Sequence, residues 1–305
     1  MTALEGVYSV LPTPFTPGDD VDRDSLRRVV DLYLSAGVDG LTALGVTGEA
    51  ARLSESEREE VLAAVVDRVA GRVPVVAGAT AEGTTLCIAR ARAARAAGAA
   101  AVMVSPPRMP KINSDAVVRH FETLAAAVDL PIVVQDYPPV SGYAMEAALL
   151  VRIAREIPSA RTIKLEDPPT PLKTARIRQI AEGLPLRIFG GLGGVYLLEE
   201  LLAGATGAMT GFAYPEILVE IVRRFHAGEQ DRAADLFYRT VPLMRFEFQE
   251  GIGVAIRKEV LRRRGAIAHA AARMPAPALD APTRAALDRV LAWVETAREK
   301  SWISA

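Results

Sequence analysis

The chain of 305 residues holds one cysteine and three histidines, and its 36 basic and 37 acidic side chains nearly cancel. Each shortage excludes a class of function. A lone Cys87 excludes intrachain disulfides and any zinc site built from several thiolates. A formal net charge of −1 gives no electrostatic reason to expect a nucleic-acid or anionic-membrane partner. The longest charge-free stretch, Leu201 to Pro215, is broken by Gly204, Gly207 and Gly211, and it falls short of the roughly 20 apolar residues of a membrane span. Met1-Thr-Ala-Leu-Glu5 lacks the basic-then-apolar signature of a signal peptide. A soluble, cytoplasmic protein is the expectation.

The histidines narrow the chemistry further. His120 lies within a helical pattern and reads as a surface position. His226 ends a helix, where positive charge is favourable, and His269 sits in a small-residue loop. None follows an expected strand. A Ser-His-Asp or Cys-His machine, or a His-rich metal site, is therefore disfavoured. If the chain is an enzyme, its chemistry rests on another residue type.

What is present is a hydrophobic fraction of 50%, ample for a large core, arranged in a regular alternation. Short apolar runs closed by Gly, Pro, Ser or Asp read as buried parallel strands: Val7–Leu11, Gly40–Leu44, Val73–Gly78, Ala100–Ser105, Pro131–Asp136, Arg161–Leu165, Leu186–Gly190 and Gly207–Gly211. Helical patterns follow each of them. They cover Asp24–Ala36, Ser54–Val69, Thr84–Ala97, Ser114–Val128, Met145–Ile157, Pro171–Glu182, Val195–Ala203 and Pro215–Ala227. Ser54 stands three residues before Glu57, a capping box. Strict alternation with this count predicts an α/β fold, a (β/α)₈ TIM barrel, over an open doubly wound sheet. Leu11-Pro-Thr-Pro-Phe15 stands where a nucleotide-binding sheet would carry its glycine-rich loop. After His226 the pattern becomes helical only (Gln230–Phe248, Val254–Arg264, Thr283–Lys300). The expected organisation is a barrel over 1–227 with a small C-terminal helical extension over 228–305. The basic cluster Arg257, Lys258, Arg262, Arg263 and Arg264 reads as a solvated or subunit-facing helix side, and Trp302 as an interface residue.

Barrel active sites lie at the C-terminal strand ends. After the second strand, Gly45-Val-Thr-Gly-Glu-Ala50 is a turn able to aim main-chain N–H groups and the Thr47 hydroxyl at a carboxylate. Glu49 is placed to tie the turn down by accepting main-chain hydrogen bonds. On the sixth strand, alternation puts Thr162, Lys164 and Glu166 on one face and Ile163 and Leu165 on the other. The apolar pair must face the surrounding helices, so Lys164 points into the barrel. A desolvated lysine is a nucleophile toward carbonyls; a structural lysine paired with Glu166 explains the pattern equally well.

These motifs resemble the dihydrodipicolinate synthase / N-acetylneuraminate lyase family, class I aldolase-type barrels acting on pyruvate or other 2-oxo acids. The match runs nearly the whole length. Gly6 to Thr13-Pro-Phe15, Gly37-Val-Asp-Gly40, Gly45-x-Thr-Gly-Glu49 with Leu53-Ser-x-x-Glu57, and Pro74-Val-Val-Ala-Gly78 carry it, with Pro138-x-x-x-Gly142, Ile163-Lys164 and Arg273-Met-Pro275. The resemblance implies that Lys164 is the Schiff-base lysine and that Thr47 with the Gly48 main chain holds the substrate carboxylate. It also implies a homotetramer or dimer.

Departures accompany the match. Gln135 stands where the family carries its proton-relay tyrosine, with Tyr137 two residues on. Val46 replaces a frequent hydroxyl residue. Arg108 and Val140 stand where the synthase has a partner tyrosine and a substrate-binding arginine. This set argues against a genuine dihydrodipicolinate synthase. The rim Phe189-Gly-Gly-Leu-Gly-Gly194 lacks the polar groups of sialic-acid lyases, and Gly191 leaves room or N–H groups for substrate. The expectation is a lyase, aldolase or dehydratase, that needs no cofactor and no metal and takes a small 2-oxo acid. Tyr137, Glu166 and Gln135 are its acid–base candidates; Glu166 would serve if burial raises its pKa. Arg108 is a candidate for a second carboxylate, and Tyr8 for the site wall. The alternatives are a non-catalytic, regulatory 2-oxo acid-binding barrel and a metal-dependent aldolase.

Overall fold

A computed structural model describes residues 4–299 of the chain. Trp302, expected at an interface, and Lys300, the expected end of the last helix, lie outside the described residues. Eight parallel strands close on themselves in chain order: β1 (Gly6–Val10), β2 (Gly40–Ala43), β3 (Val75–Gly78), β4 (Ala101–Val104), β5 (Ile132–Asp136), β6 (Thr162–Leu165), β7 (Arg187–Gly190) and β8 (Gly207–Thr210). Tyr8 pairs with Gly40 on one side and with Met209 on the other, which completes the barrel. Seven strands fall inside their expected ranges, and β1 begins one residue early.

Alternation along each strand separates two cores. Val7, Leu41, Val102, Val134, Ile163 and Ile188 point outward to the helix layer. Tyr8, Val10, Val76, Met103, Val133, Phe189 and Met209 fill the barrel's inside. Interior side chains make the barrel a packed core and leave chemistry to its rim.

The helices are α1 (Arg23–Ser35), α2 (Glu55–Val69), α3 (Thr84–Ala96), α4 (Ser114–Ala127), the single turn α5 (Pro138–Ser141), α6 (Ala147–Glu156), α7 (Thr170–Ile180), α8 (Leu197–Leu202) and α9 (Pro215–His226). The sequence pattern did not disclose α5, a four-residue element with no periodicity to read. The capping box is present: Ser54 Oγ accepts from the Glu57 amide, and the Glu57 carboxylate accepts from the Ser54 amide at 2.8 Å. Such a cap stabilises a helix by about 1 kcal/mol.

Beyond the barrel come α10 (Gln230–Glu247), α11 (Gly253–Arg263) and α12 (Ala281–Glu299). α10 packs on α9 and α8 and carries α11 and α12. Two expectations are corrected here. His120 is not a surface residue: it is buried, packs edge-on against Phe121, and its Nδ1 lies 2.9 Å from Thr84 Oγ1. The basic cluster is not a uniformly solvated side either. Arg262 and Arg263 pair with Glu259, but Arg257 and Lys258 are buried and point toward the barrel mouth.

Candidate active site

Lys164 stands in the middle of β6, with Gln135 beside it on β5 and Phe189 on β7 in register. Its neighbours Ile163 and Leu165 are buried in the outer core, so the ammonium is delivered inside, as alternation requires. Lys164 Nζ lies 3.1 Å from Glu166 Oε2. Gln135 Nε2 donates to the same oxygen at 2.7 Å, and Ser105 Oγ donates to Gln135 Oε1 at 3.0 Å. All four side chains are buried. A charge out of water needs partners, and this chain of hydrogen bonds supplies them while fixing which Glu166 oxygen faces the amine.

A cavity of about 240 Å³ opens at the barrel mouth over Lys164 and Glu166. Thr47, Tyr137, Gly191 and Gly211 line it from the strand ends, and Glu247, Glu250 and Arg257 from the C-terminal extension. The turn bearing Thr47 is held from below by Thr13 Oγ1, which donates to the Gly48 carbonyl at 2.7 Å. Glu49 closes the turn in a left-handed conformation, with φ of 55°. Its buried carboxylate accepts from Lys258 Nζ at 2.5 Å, from the Arg273 amide at 2.8 Å and from Arg52. Glu49 therefore does accept a main-chain hydrogen bond, but from the Arg273 loop of the extension. Among the described residues no acceptor meets the amides of Thr47 and Gly48. Unclaimed N–H groups beside a hydroxyl are what an incoming carboxylate requires.

Tyr137 follows β5 directly, caps α5 and is half-buried against the cavity. Burial raises its phenol pKa, and the carboxylates of Glu166 and Glu250 raise it further. The phenol is thus kept protonated in the same space that holds Lys164.

Two expected site residues are elsewhere. Tyr8 is fully buried inside the barrel, 5.3 Å from the Phe189 ring and against Gly40, and it lines neither mouth cavity. Aromatic bulk at that level fills the barrel. Arg108 lines an adjoining cavity of about 530 Å³, with Gln135, Val140 and Arg52. Val46, 45% exposed, borders both cavities.

The glycine rim also departs from expectation. A β-carbon on Gly191 would lie 2.2 Å from Glu166 Cγ, and one on Gly190 would lie 1.7 Å from Glu200 Oε2. One on Gly193 would lie 2.7 Å from Phe248 Cβ. The space these glycines leave is taken by the protein's own side chains; Gly191 lines the cavity through its backbone.

Sequence reading missed the contribution of the extension. Arg257 Nη1 donates to Thr47 Oγ1 at 3.1 Å, and its Nε donates to Glu247 Oε2 at 3.3 Å. A signal was available. Arg257 and Lys258 sit among Val254, Ala255, Val260 and Leu261, at the three- and four-residue offsets that share a helix face. Among the described residues no cluster of three or more His, Cys, Asp or Glu is spaced to hold a metal ion.

Comparison with known proteins places the fold and the family. A model described as the dihydrodipicolinate synthetase family matches residues 3–293. L-2-keto-3-deoxyarabonate dehydratase of Azospirillum brasilense is 33% identical over 288 residues, covering 92% of each chain. The crystal structure of dihydrodipicolinate synthase from Rhodopseudomonas palustris superposes with a TM-score of 0.89 at 35% identity, over 95% of this chain and 97% of that one. YagE, an E. coli prophage protein of the dihydrodipicolinic acid synthase family solved in complex with pyruvate, gives 0.90 at 25% identity over 96% and 99%. With barrel, motifs and matched span in agreement, the chain belongs to the dihydrodipicolinate synthetase family.

Proposed function

We propose that this class I lyase forms a Schiff base through Lys164 with a 2-oxo acid and eliminates water from a 3-deoxy-2-oxo sugar acid. One observation carries the reading: Lys164 Nζ lies 3.1 Å from Glu166 Oε2, in the cavity that Thr47 and Tyr137 also line. The Thr47–Gly48 turn holds the carboxylate. The Lys164 amine attacks C2 and expels the ketone oxygen as water, giving a protonated imine. That imine withdraws electrons from C3, two bonds from the nitrogen that Glu166 faces. Glu166 takes the C3 proton, the enamine pushes out the hydroxyl at C4, and Tyr137 protonates it as it leaves as water. Hydrolysis of the conjugated imine restores the lysine. Gln135 holds Glu166 where the family's tyrosine would stand. The dehydratase relative supports elimination over aldol chemistry, and the pyruvate-bound neighbour supports the 2-oxo acid.

Borohydride reduction in the presence of pyruvate, followed by peptide mass spectrometry, tests this. The expected result is a reduced adduct on Lys164 alone, absent from Lys164→Ala. No adduct across a panel of 2-oxo acids would overturn it, and would favour a regulatory binding barrel.

Assembly into a homotetramer or dimer, and residence in the cytoplasm, belong to the same proposal. The exposed apolar side chains of Leu172, Leu202 and Tyr238 support assembly. Among the described residues no helix is long and apolar enough to cross a membrane.

A further inference from the structure

We propose that Arg257, reaching into the cavity from the helical extension, is the cation of the carboxylate subsite, and that Glu247 is the residue that positions it. This rests on the imine reading above and adds a charge to a subsite otherwise built from a hydroxyl and main-chain amides. Three observations carry it.

The first is contact. Arg257 Nη1 donates to Thr47 Oγ1 at 3.1 Å. That bond occupies a lone pair of the hydroxyl, so Thr47 keeps its own proton to donate to an incoming carboxylate. The second is an unfinished guanidinium. Arg257 is buried and lines the cavity, yet among the described residues nothing accepts from its Nη2. A buried cation with an unused donor beside an orphaned pair of amides is a place for an anion. The third is support. Glu247 at the end of α10 is fully buried, and its Oε2 accepts from Arg257 Nε at 3.3 Å and from the Ala213 amide at 3.1 Å. Among the described residues its Oε1 has no hydrogen-bond partner. Gly211, just past β8, makes the arrangement possible: a β-carbon there would lie 2.9 Å from Thr47 Oγ1 and 3.1 Å from Arg257 Nη1.

Glu247 also makes the subsite sensitive to pH. Burial pushes its carboxyl up to about 7, against the opposing pull of Arg257, the Ala213 amide and Arg264. The other groups facing it are Tyr33 on α1 and Tyr214 just before α9. Below pH 7 the neutral Glu247 leaves the charge of Arg257 free for the substrate. Above pH 7 its carboxylate opposes an anionic substrate, so carboxylate affinity weakens as the pH rises through that value.

Borohydride trapping at Lys164 is compared for pyruvate and for methyl pyruvate, its uncharged ester. A wild-type adduct with pyruvate establishes the imine; its absence sinks the imine reading itself. Given that adduct, Arg257→Met raises the half-saturating concentration of pyruvate roughly ten- to a hundred-fold, the loss of one charge-assisted contact, and changes that of methyl pyruvate little. Arg257→Met/Glu247→Gln removes both charges, relieves the buried carboxylate, and gives the same collapse of the pyruvate preference should the single variant misfold. In Glu247→Gln alone, the pyruvate preference loses its fall between pH 6 and pH 8. Equal losses for both ketones would mark Arg257 as a structural residue, and unchanged preference would remove it from the subsite; either outcome overturns the proposal.

Discussion

At Gly191 a β-carbon would lie 2.2 Å from Glu166 Cγ and 2.8 Å from Oε1, closer than non-bonded atoms approach. Glu166 is held by Gln135 and faces Lys164, so even one added methyl group must move the carboxylate. In Gly191→Ala the expected loss is therefore in proton transfer, whose geometry is demanding to a fraction of an ångström. Turnover should fall by roughly two orders of magnitude, the usual contribution of a positioned general base, while borohydride still traps the imine on Lys164. Loss of trapping together with turnover would show that Glu166 serves to hold the lysine instead. His120 marks the opposite case, a polar side chain with no route to the chemistry. Its Nδ1 lies beside Thr84 Oγ1, and burial lowers its pKa, which keeps it neutral in the helix layer.

Among the elements, α11 does two jobs from adjacent residues, and the second is structural. Lys258 Nζ pairs with Glu49 Oε1 at 2.5 Å with both side chains fully buried, donates to the Ala271 carbonyl and lies 4.3 Å over the Phe15 ring. This pins the Thr47 turn to the extension. Removing one member of a buried ion pair costs about 3–5 kcal/mol when the other is left without compensation; Glu49 keeps Arg52 and the Arg273 amide, which holds the loss toward the lower end. Lys258→Met should lose stability of that order in urea unfolding, and Glu49→Gln/Lys258→Met should regain a large part of it. A double variant no more stable than the single one would show that Lys258 acts through packing on Phe15. The elements differ in how far the sequence discloses them. The strands were legible because each is a short apolar run buried on both faces. Lys164 and Glu166 were legible because a strand's two-residue alternation is local, and Gln135 because the family resemblance aligns it with a known position. The role of α11 was not, since a helical face shows what it is made of and not what it meets. Arg257 and Lys258 look solvated beside Arg262 to Arg264 until the barrel mouth is placed against them. The room expected at the glycines ending and following β7 was misjudged for the same reason: a missing side chain does not say who fills the space.

For the molecule as a whole, the question is whether the extension over 228–305, proposed as a unit of architecture, is also a unit of stability. The contacts joining it to the barrel are spread around the mouth and the helix layer. Arg264 pairs with Glu216 at 2.8 Å, Arg273 with Glu57 at 2.7 Å, and the Ala268 amide donates to Ser25 Oγ at 3.0 Å. Leu236, Phe237, Leu243 and Met244 of α10 are buried in the same continuous core as the barrel's outer face. Each of those four side chains is worth about 1.5–3 kcal/mol when fully buried. Their sum, on the order of 6–12 kcal/mol, is comparable to the net stability of a typical domain, about 5–15 kcal/mol. Losing even part of that burial would take a large share of the net stability, so the extension and the barrel are expected to unfold together. Both tryptophans, Trp293 and Trp302, belong to the extension, so their emission reports it alone, while far-UV circular dichroism reports every helix. Urea unfolding followed by the two signals should give coincident midpoints, the mark of one cooperative unit. A tryptophan transition at lower urea than the circular dichroism transition would show that the barrel stands without the extension. In that case the barrel would also stand without Arg257 and Lys258, and binding of a 2-oxo acid would be lost at the lower of the two midpoints.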